Sequence, residues 1–178
     1  MSGSEYQRIL NEIRLFSEGT TDLAGLEEFC ISQIATRLPY YNWIGFYMLD
    51  ENDPGVLVLS RFHGSPTEHV RIPVSEGICG AAVAEGTTIV VDDVEGDPRY
   101  LACSSETKSE IVAPIRVNGV IVGEIDADSH TRSAFAEQDR EFLEQCSTII
   151  GEFTATHGRW DASVFSLLHL RHPMRSSR

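Results

Sequence analysis

Residues 109–129 read SEIVAPIRVNGVIVGEIDADS. Two runs rich in apolar residues, 109–116 and 120–127, lie on either side of the pair Asn118-Gly119. An Asn-Gly pair between two such runs is a strong signal for the two-residue turn of a β-hairpin. The stretch therefore predicts two antiparallel strands, around which the rest of the chain has to fold.

Three acidic residues lie at alternate positions near the end of this stretch, Glu124, Asp126 and Asp128. Because strand side chains alternate between faces, the three are predicted to share one face. Acids along an interior strand need a polar site, where neighbouring carboxyls raise each other's pKa and provide a proton donor. Considered alone, Asp126 and Asp128 are explained more simply by a solvated strand end. Glu110, in the first strand, either reaches the same site or is a surface charge.

The pattern of apolar residues on both sides of the hairpin predicts the remaining elements. The predicted helices cover 6–16, 22–38, 77–84 and 136–156, and the predicted strands cover 41–49, 56–62, 69–72 and 88–91. Helices before and after one antiparallel sheet make an α+β domain, which we assign to residues 1–156. Residues 157–178 are interpreted as a basic C-terminal appendage with a short helix near 164–170.

The chain is strongly acidic, with 27 Asp and Glu against 14 Lys and Arg and a formal net charge of -13. Such a surface repels phosphate backbones, so we expect no nucleic-acid partner. No apolar run approaches the ~20 residues that a membrane span needs. Residues 1–16 also lack the basic segment and apolar core of a secretory signal. We therefore expect no membrane association and a cytoplasmic location.

The four cysteines fall into two groups by their surroundings. Cys30 and Cys146 lie on the apolar stripes of predicted helices, which favours a packing role. Cys79 lies at a predicted helix start, where the helix dipole favours a thiolate. Cys103 lies in the polar loop 92–109, and a loop of eighteen residues inside a domain is uncommon unless it is functional.

The sequence shows no motif for a bound cofactor. The histidines form no HxxxH or HExxH pair, and no two cysteines have the CxxC spacing. Neither a GxGxxG stretch nor a Walker loop occurs. We expect no metal and no organic cofactor.

Trp43 and Tyr47 are candidates for the wall of a small-ligand site. They lie four residues apart in a predicted strand, so their side chains share one face. Packing inside an aromatic core is the more common explanation of such a pair.

Taken together, these residues resemble the GAF-domain family of free methionine-R-sulfoxide reductases. No single motif is diagnostic, but the order and spacing of the motifs across residues 6–156 are specific. The matching stretches are YNWIGFY at 41–47, RIPV at 71–74, GICGAA at 77–82, AC at 102–103, SEIVAP at 109–114, GEIDADS at 123–129 and FAEQD at 135–139.

The resemblance implies a GAF (PAS-like) fold, with a central six-stranded antiparallel sheet flanked by N- and C-terminal helices and a pocket for a free amino acid. It implies that Cys103 is the catalytic cysteine and that Cys79 is a candidate resolving thiol. The positions implied to contact the substrate are Trp43, Tyr47, Glu110, Asp126 and Asp128.

The implied reaction is the thiol-dependent reduction of free L-methionine-(R)-sulfoxide to methionine. Cys103 attacks the sulfoxide sulfur while a protonated carboxyl among Glu110, Asp126 and Asp128 donates to the oxygen. The resulting sulfenic acid condenses with a second thiol to a disulfide, and a thioredoxin-like protein restores the thiols. GAF domains often pair through their terminal helices, so a homodimer is expected by analogy.

One position departs from the family pattern. The family commonly has a further cysteine ten residues before Cys79, where this chain has His69. Either Cys79 or an external thiol then resolves the sulfenic acid, or turnover is lost. Two other functions stay open, namely a non-catalytic GAF module that binds a small ligand and a redox sensor that signals through a Cys79–Cys103 disulfide. A reductase uses both the thiols and the acids, which favours it.

Overall fold

The predicted hairpin is present and forms the longest strand pairing of the sheet. Strands β5 (Ser109–Val117) and β6 (Val120–Ser129) are antiparallel, and their register runs from Ser109 opposite Ser129 to Val117 opposite Val120. Asn118 and Gly119 have φ values of 52° and 84°. Positive φ at both central residues is what a type I′ turn requires, so the Asn-Gly pair sets the register of the hairpin.

A computed structural model describes residues 3–102 and 104–157 of the chain. The helices are α1 (Gly3–Gly19), α2 (Leu23–Arg37), α3 (Gly77–Glu85) and α4 (Glu137–His157), with a 3-10 turn at Val94–Gly96. The other strands are β1 (Trp43–Leu49), β2 (Val56–His63), β3 (Arg71–Pro73) and β4 (Ile89–Val91). The element types predicted within the described residues are confirmed, whereas the predicted helix near 164–170 lies outside them.

The six strands form one antiparallel sheet in the order β3-β2-β1-β6-β5-β4. Helices α1, α2 and α4 bury the larger hydrophobic core against one face. Helix α3 and the segment that contains Val94 bury a second, smaller core against the other face. The sheet therefore has a side packed by long helices and a side packed by one short helix and loops.

Most element boundaries differ from the prediction by a residue or more, and α1 extends three residues beyond the predicted 6–16 at each end. Strand β1 begins at Trp43 rather than at residue 41, because the backbone N–H of Tyr41 donates to the Leu38 carbonyl in the turn after α2. Strand β3 covers Arg71–Pro73 rather than 69–72, and its pairing with β2 ends where Arg71 faces Val58.

Asp139, in the first turn of α4, is buried and joins distant parts of the chain. Its Oδ1 accepts hydrogen bonds from the hydroxyls of Tyr6, Tyr40 and Tyr41 at 2.9, 2.5 and 2.9 Å. Its Oδ2 accepts the backbone N–H of Ala136 at 2.9 Å, which caps the start of the helix. We call these residues the tyrosine–aspartate network.

Each helix in the described ranges is too short or too polar to cross a lipid bilayer.

Candidate active site

Four carboxyl side chains are buried on the face of the sheet that α3 covers: Glu110, Glu124, Asp126 and Asp128. The register sets Glu110 directly opposite Asp128. The exposed fractions of Glu110 and Asp128 are 6% and 5%, so neither is a surface charge or a solvated strand end. We call the four residues the acid cluster.

Burial raises the pKa of every member of the acid cluster. Loss of hydration is the largest cause, and for Glu110, Glu124 and Asp126 the charges of neighbouring acids add to it. The pKa of Asp128 rises to about 7, although the Thr107 hydroxyl donates to its Oδ2 at 3.3 Å and favours the charged form. The cluster therefore holds protons near neutral pH, as predicted from the spacing of the acids.

Several oxygens of the cluster lack hydrogen-bond partners among residues 3–102 and 104–157. They are both carboxyl oxygens of Glu124 and Oδ1 of Asp126. A buried polar atom without a partner costs about 1–3 kcal/mol. Such a cost suggests a site shaped for a ligand that supplies hydrogen-bond donors or positive charge.

Cys79 lies in the first turn of α3, and its thiol donates to Asp126 Oδ2 at 3.6 Å. The prediction that the helix dipole favours a thiolate at Cys79 is wrong. Burial, followed by the charges of Asp126, Glu124 and Glu110, raises the pKa of the thiol well above its ordinary value. A helix dipole contributes about half a unit charge, which several carboxyl groups and the loss of water outweigh.

The aromatic pair lies beside the acid cluster. Strand pairing sets Trp43 opposite Asp128 and Tyr47 opposite Glu124. The two rings lie 6.2 Å apart, and Trp43 also stacks on Phe62 at 5.8 Å. Tyr47 is fully buried in the smaller core, so core packing accounts for its ring, while contact with a ligand stays a prediction.

Cys103 lies outside the described residues, so its predicted role is untested. The residues on either side of it are held by the protein. The Nε2 of His69 lies 3.1 Å from the carbonyl of Ala102, and the Tyr100 hydroxyl donates to the carbonyl of Ser104 at 3.2 Å. His69, at the position where the family commonly has a cysteine, is therefore hydrogen-bonded to the segment that contains Cys103.

A cleft of about 490 Å³ lies between α3 and residues 98–101 of the same segment. Gly77 and Gly80, which flank the turn containing Cys79, line it together with Tyr100 and Leu101. It lies outside the acid cluster and next to the loop that precedes Cys103.

Cys30 and Cys146 are both fully buried in the larger core, which confirms their packing role. Burial raises the pKa of Cys146, and the adjacent Cys30 thiol adds to the shift. Neither residue is part of the face that bears the acid cluster.

Two members of the site were missed by sequence reasoning. Glu124 is not among the predicted site residues, although it shares the strand parity of Asp126 and Asp128, which is the signal that identifies it. Thr107 gave no signal, because its contact with Asp128 depends on the path of the loop.

Residues 21–152 match the GAF domain family. The free methionine-R-sulfoxide reductase of Escherichia coli is 32% identical, over 88% of this chain and 93% of its own length. The X-ray structure of the Neisseria meningitidis free methionine-R-sulfoxide reductase in complex with its substrate is 32% identical to this chain. It covers 88% of this chain and 92% of its own, with a TM-score of 0.82. The chain belongs to the free methionine-R-sulfoxide reductase family of GAF domains.

A further relative of this GAF domain is protein YtsP of Bacillus subtilis, which is 40% identical over 79% of this chain and 85% of its own length. The predicted family and the predicted six-stranded α+β fold are thus confirmed. In this GAF domain, α3 and the loop before β5 pack over the sheet face that bears the acid cluster.

Proposed function

We propose that this chain reduces free L-methionine-(R)-sulfoxide to methionine at the acid cluster, with Cys103 as the nucleophile. The observation that carries the proposal is the acid cluster itself, in a family whose members include reductases of this substrate. Four buried carboxyls on one sheet face are too costly to serve packing alone.

A free amino acid matches the chemistry of the site. Its ammonium group supplies donors and positive charge for the unpartnered oxygens of Glu124 and Asp126. The rings of Trp43 and Tyr47 offer an apolar surface to the methylene and methyl groups of its side chain. Glu110 adds a fourth carboxyl group, so the site is rich in hydrogen-bond acceptors.

The proposed reaction starts with attack of the Cys103 thiolate on the sulfoxide sulfur. Asp128, whose pKa of about 7 leaves a large protonated fraction near neutral pH, donates a proton to the sulfoxide oxygen. The oxygen then moves to the Cys103 sulfur: the S–S bond formed by the attack and the methionine S–O bond break, and an S–O bond forms at Cys103. Methionine leaves with its sulfur reduced, and Cys103 is left as a sulfenic acid. Condensation of this sulfenic acid with a second thiol gives a disulfide and releases water.

The second thiol is either Cys79 or an external one. The buried, protonated state of Cys79 slows its attack, because the thiolate is the nucleophile. An external dithiol such as a thioredoxin-like protein supplies the two electrons of each cycle in either case. Cys79→Ala distinguishes the routes, since only the internal route loses the disulfide in this variant.

The test is incubation of the protein with free L-methionine-R,S-sulfoxide and dithiothreitol, with methionine followed by chromatography. We expect only the R epimer to be consumed and Cys103→Ser to reduce turnover to background. Cys146→Ala, which removes a buried thiol distant from the acid cluster, serves as the matched control and retains turnover. No turnover by the wild-type protein, or full turnover by Cys103→Ser, would contradict the proposal.

A further inference from the structure

Within the described ranges, three candidate ligands for a metal ion converge at the acid cluster, one thiol and two carboxyl groups. The Cys79 sulfur, one Glu110 oxygen and one Asp126 oxygen all lie within 4.8 Å of one another. All three side chains are buried. They come from α3, β5 and β6, so the scaffold holds the ligand atoms on three separate elements.

We propose that this GAF domain binds a zinc-like divalent transition-metal ion through Cys79, Glu110 and Asp126, and that the bound ion blocks sulfoxide reduction. The blocking step rests on the proposed function, whereas metal binding does not. No ion takes part in the proposed catalytic cycle. A bound ion occupies Glu110 and Asp126, which the proposed function assigns to the substrate, so the metal acts as an inhibitor.

The spacing of the Cys79 and Asp126 ligand atoms fits a tetrahedral ion. Zinc–sulfur and zinc–oxygen bonds of about 2.3 and 2.1 Å at a tetrahedral angle separate sulfur from oxygen by about 3.6 Å. The observed separation of Cys79 Sγ and Asp126 Oδ2 is 3.6 Å. The Glu110 ligand atom lies within 4.8 Å of both.

The unpartnered oxygens that are proposed to receive the substrate's ammonium group also fit a metal cation. Asp126 Oδ1 and both oxygens of Glu124 are buried and have no donor among the described residues. Glu124 and Asp126 lie two residues apart in β6 and share one face of the strand, which places the Glu124 carboxyl beside the proposed ligands. A carboxyl group that loses its proton when a metal binds only accepts hydrogen bonds, so a cation satisfies several such groups at once.

The mixture of ligands selects the type of metal. A thiolate is a soft ligand that favours zinc and its transition-metal neighbours, whereas magnesium and calcium prefer all-oxygen sites. Binding breaks the S–H bond of Cys79, forms a metal–sulfur bond and releases the proton to solvent. Carboxyls that were protonated release their protons as well, and no atom changes oxidation state.

The first test is titration of the chelator-treated full chain with Co²⁺, in the absence of substrate and thiol reductant. We expect near-ultraviolet absorption from thiolate-to-cobalt charge transfer with one ion per chain. Cys79→Ser abolishes this absorption, while Cys103→Ser and Cys146→Ser retain it. Absence of the band in the wild-type protein, or an unchanged band in folded Cys79→Ser, would overturn the proposal.

A second measurement covers the case in which Cys79→Ser does not fold. Zinc affinity is measured by competition with a chromophoric chelator, and Asp126→Asn is expected to weaken it at least tenfold. Mg²⁺ at the same concentration does not compete. Equal zinc affinity of folded Asp126→Asn and wild type would refute the assigned ligands.

The two proposals fail separately. Zinc binding without any turnover of the zinc-free protein would refute the reductase and leave the metal site intact. Turnover that zinc does not inhibit, in a protein that binds zinc through Cys79, would refute the blocking step alone.

Discussion

At the scale of single residues, Asp128 is the member of the acid cluster that we propose as the proton donor. It lies opposite both Glu110 and Trp43, and its pKa of about 7 makes it half protonated under ordinary conditions. The Thr107 hydroxyl donates a hydrogen bond to it and thereby favours the ionised form. Proton donation needs the neutral form of Asp128. Burial, which favours that form, and the Thr107 hydrogen bond, which favours the ionised form, therefore act in opposite directions on the proposed proton donation.

We expect the turnover of the wild-type enzyme to fall as the pH rises through about 7, because Asp128 loses its proton. Asp128→Asn reduces kcat by about 100-fold or more and removes this alkaline limb. Thr107→Val, which removes the hydrogen bond at nearly constant volume, raises the pKa of Asp128 and moves the limb to higher pH. The pH profile of kcat/KM for the three proteins measures both effects, and a limb that moves to lower pH in Thr107→Val would contradict the assignment.

At the scale of elements, the contact between α2 and β2 contains a further buried acid. Glu27 is 1% exposed and accepts a hydrogen bond from the Ser60 hydroxyl at 2.5 Å, while its Oε1 has no partner among the described residues. Burial raises the pKa of Glu27 from 4.5 to about 7. Between these two values the folded state binds more protons than the unfolded state, so stability decreases as the pH rises and the loss is complete above about 7.

Glu27→Gln removes the ionisable group and keeps an oxygen that can accept from Ser60. We expect the variant to be more stable than wild type at pH 8, by up to about 3 kcal/mol, and nearly equal to it at pH 5. Urea unfolding at the two pH values measures the difference. Glu28→Gln, at an exposed position of the same helix, is the control and changes stability little at either pH. A variant less stable at pH 8 would show that the carboxylate is satisfied in the folded protein.

At the scale of elements, some features of the site could be predicted from the sequence and others could not. The alternation of residues in β6 was enough to place Asp126 and Asp128 on one face, because strand geometry is local. The burial of Glu110 and the contact of Thr107 depend on which strand pairs with which and on the path of a loop. The direction of the Cys79 pKa shift was predicted wrongly, since helix position is local but neighbouring carboxyls come from other strands.

At the scale of the whole molecule, the tyrosine–aspartate network joins the first helix to the last. Tyr6 and Asp139 are separated by 133 residues in sequence, and Tyr40 and Tyr41 lie just before the first strand. Burial is the largest cause that raises the pKa of Tyr6, to about 12, so its hydroxyl keeps the proton that it donates. The Asp139 side chain thus links α1, α4 and the segment before β1.

Asp139→Asn is expected to destabilise the protein by about 2–4 kcal/mol, because one oxygen replaces two and the Ala136 N–H loses its acceptor. Thermal and urea unfolding measure the loss. Glu141→Gln, at an exposed position of the same helix, should stay within about 0.5 kcal/mol of wild type. Equal stability of Asp139→Asn and wild type would mean that the network does not hold the helices together.

The hairpin of β5 and β6 also couples the correct strand register to assembly of the acid cluster. Its two strands carry the acid cluster on one face and part of the larger apolar core on the other. A slip of one residue in a single strand would turn that strand's acids into the helical layer and its aliphatic side chains towards the ligand. Misaligned chains are therefore too unstable to persist, and the molecules that survive folding are those in which the acid cluster has been assembled.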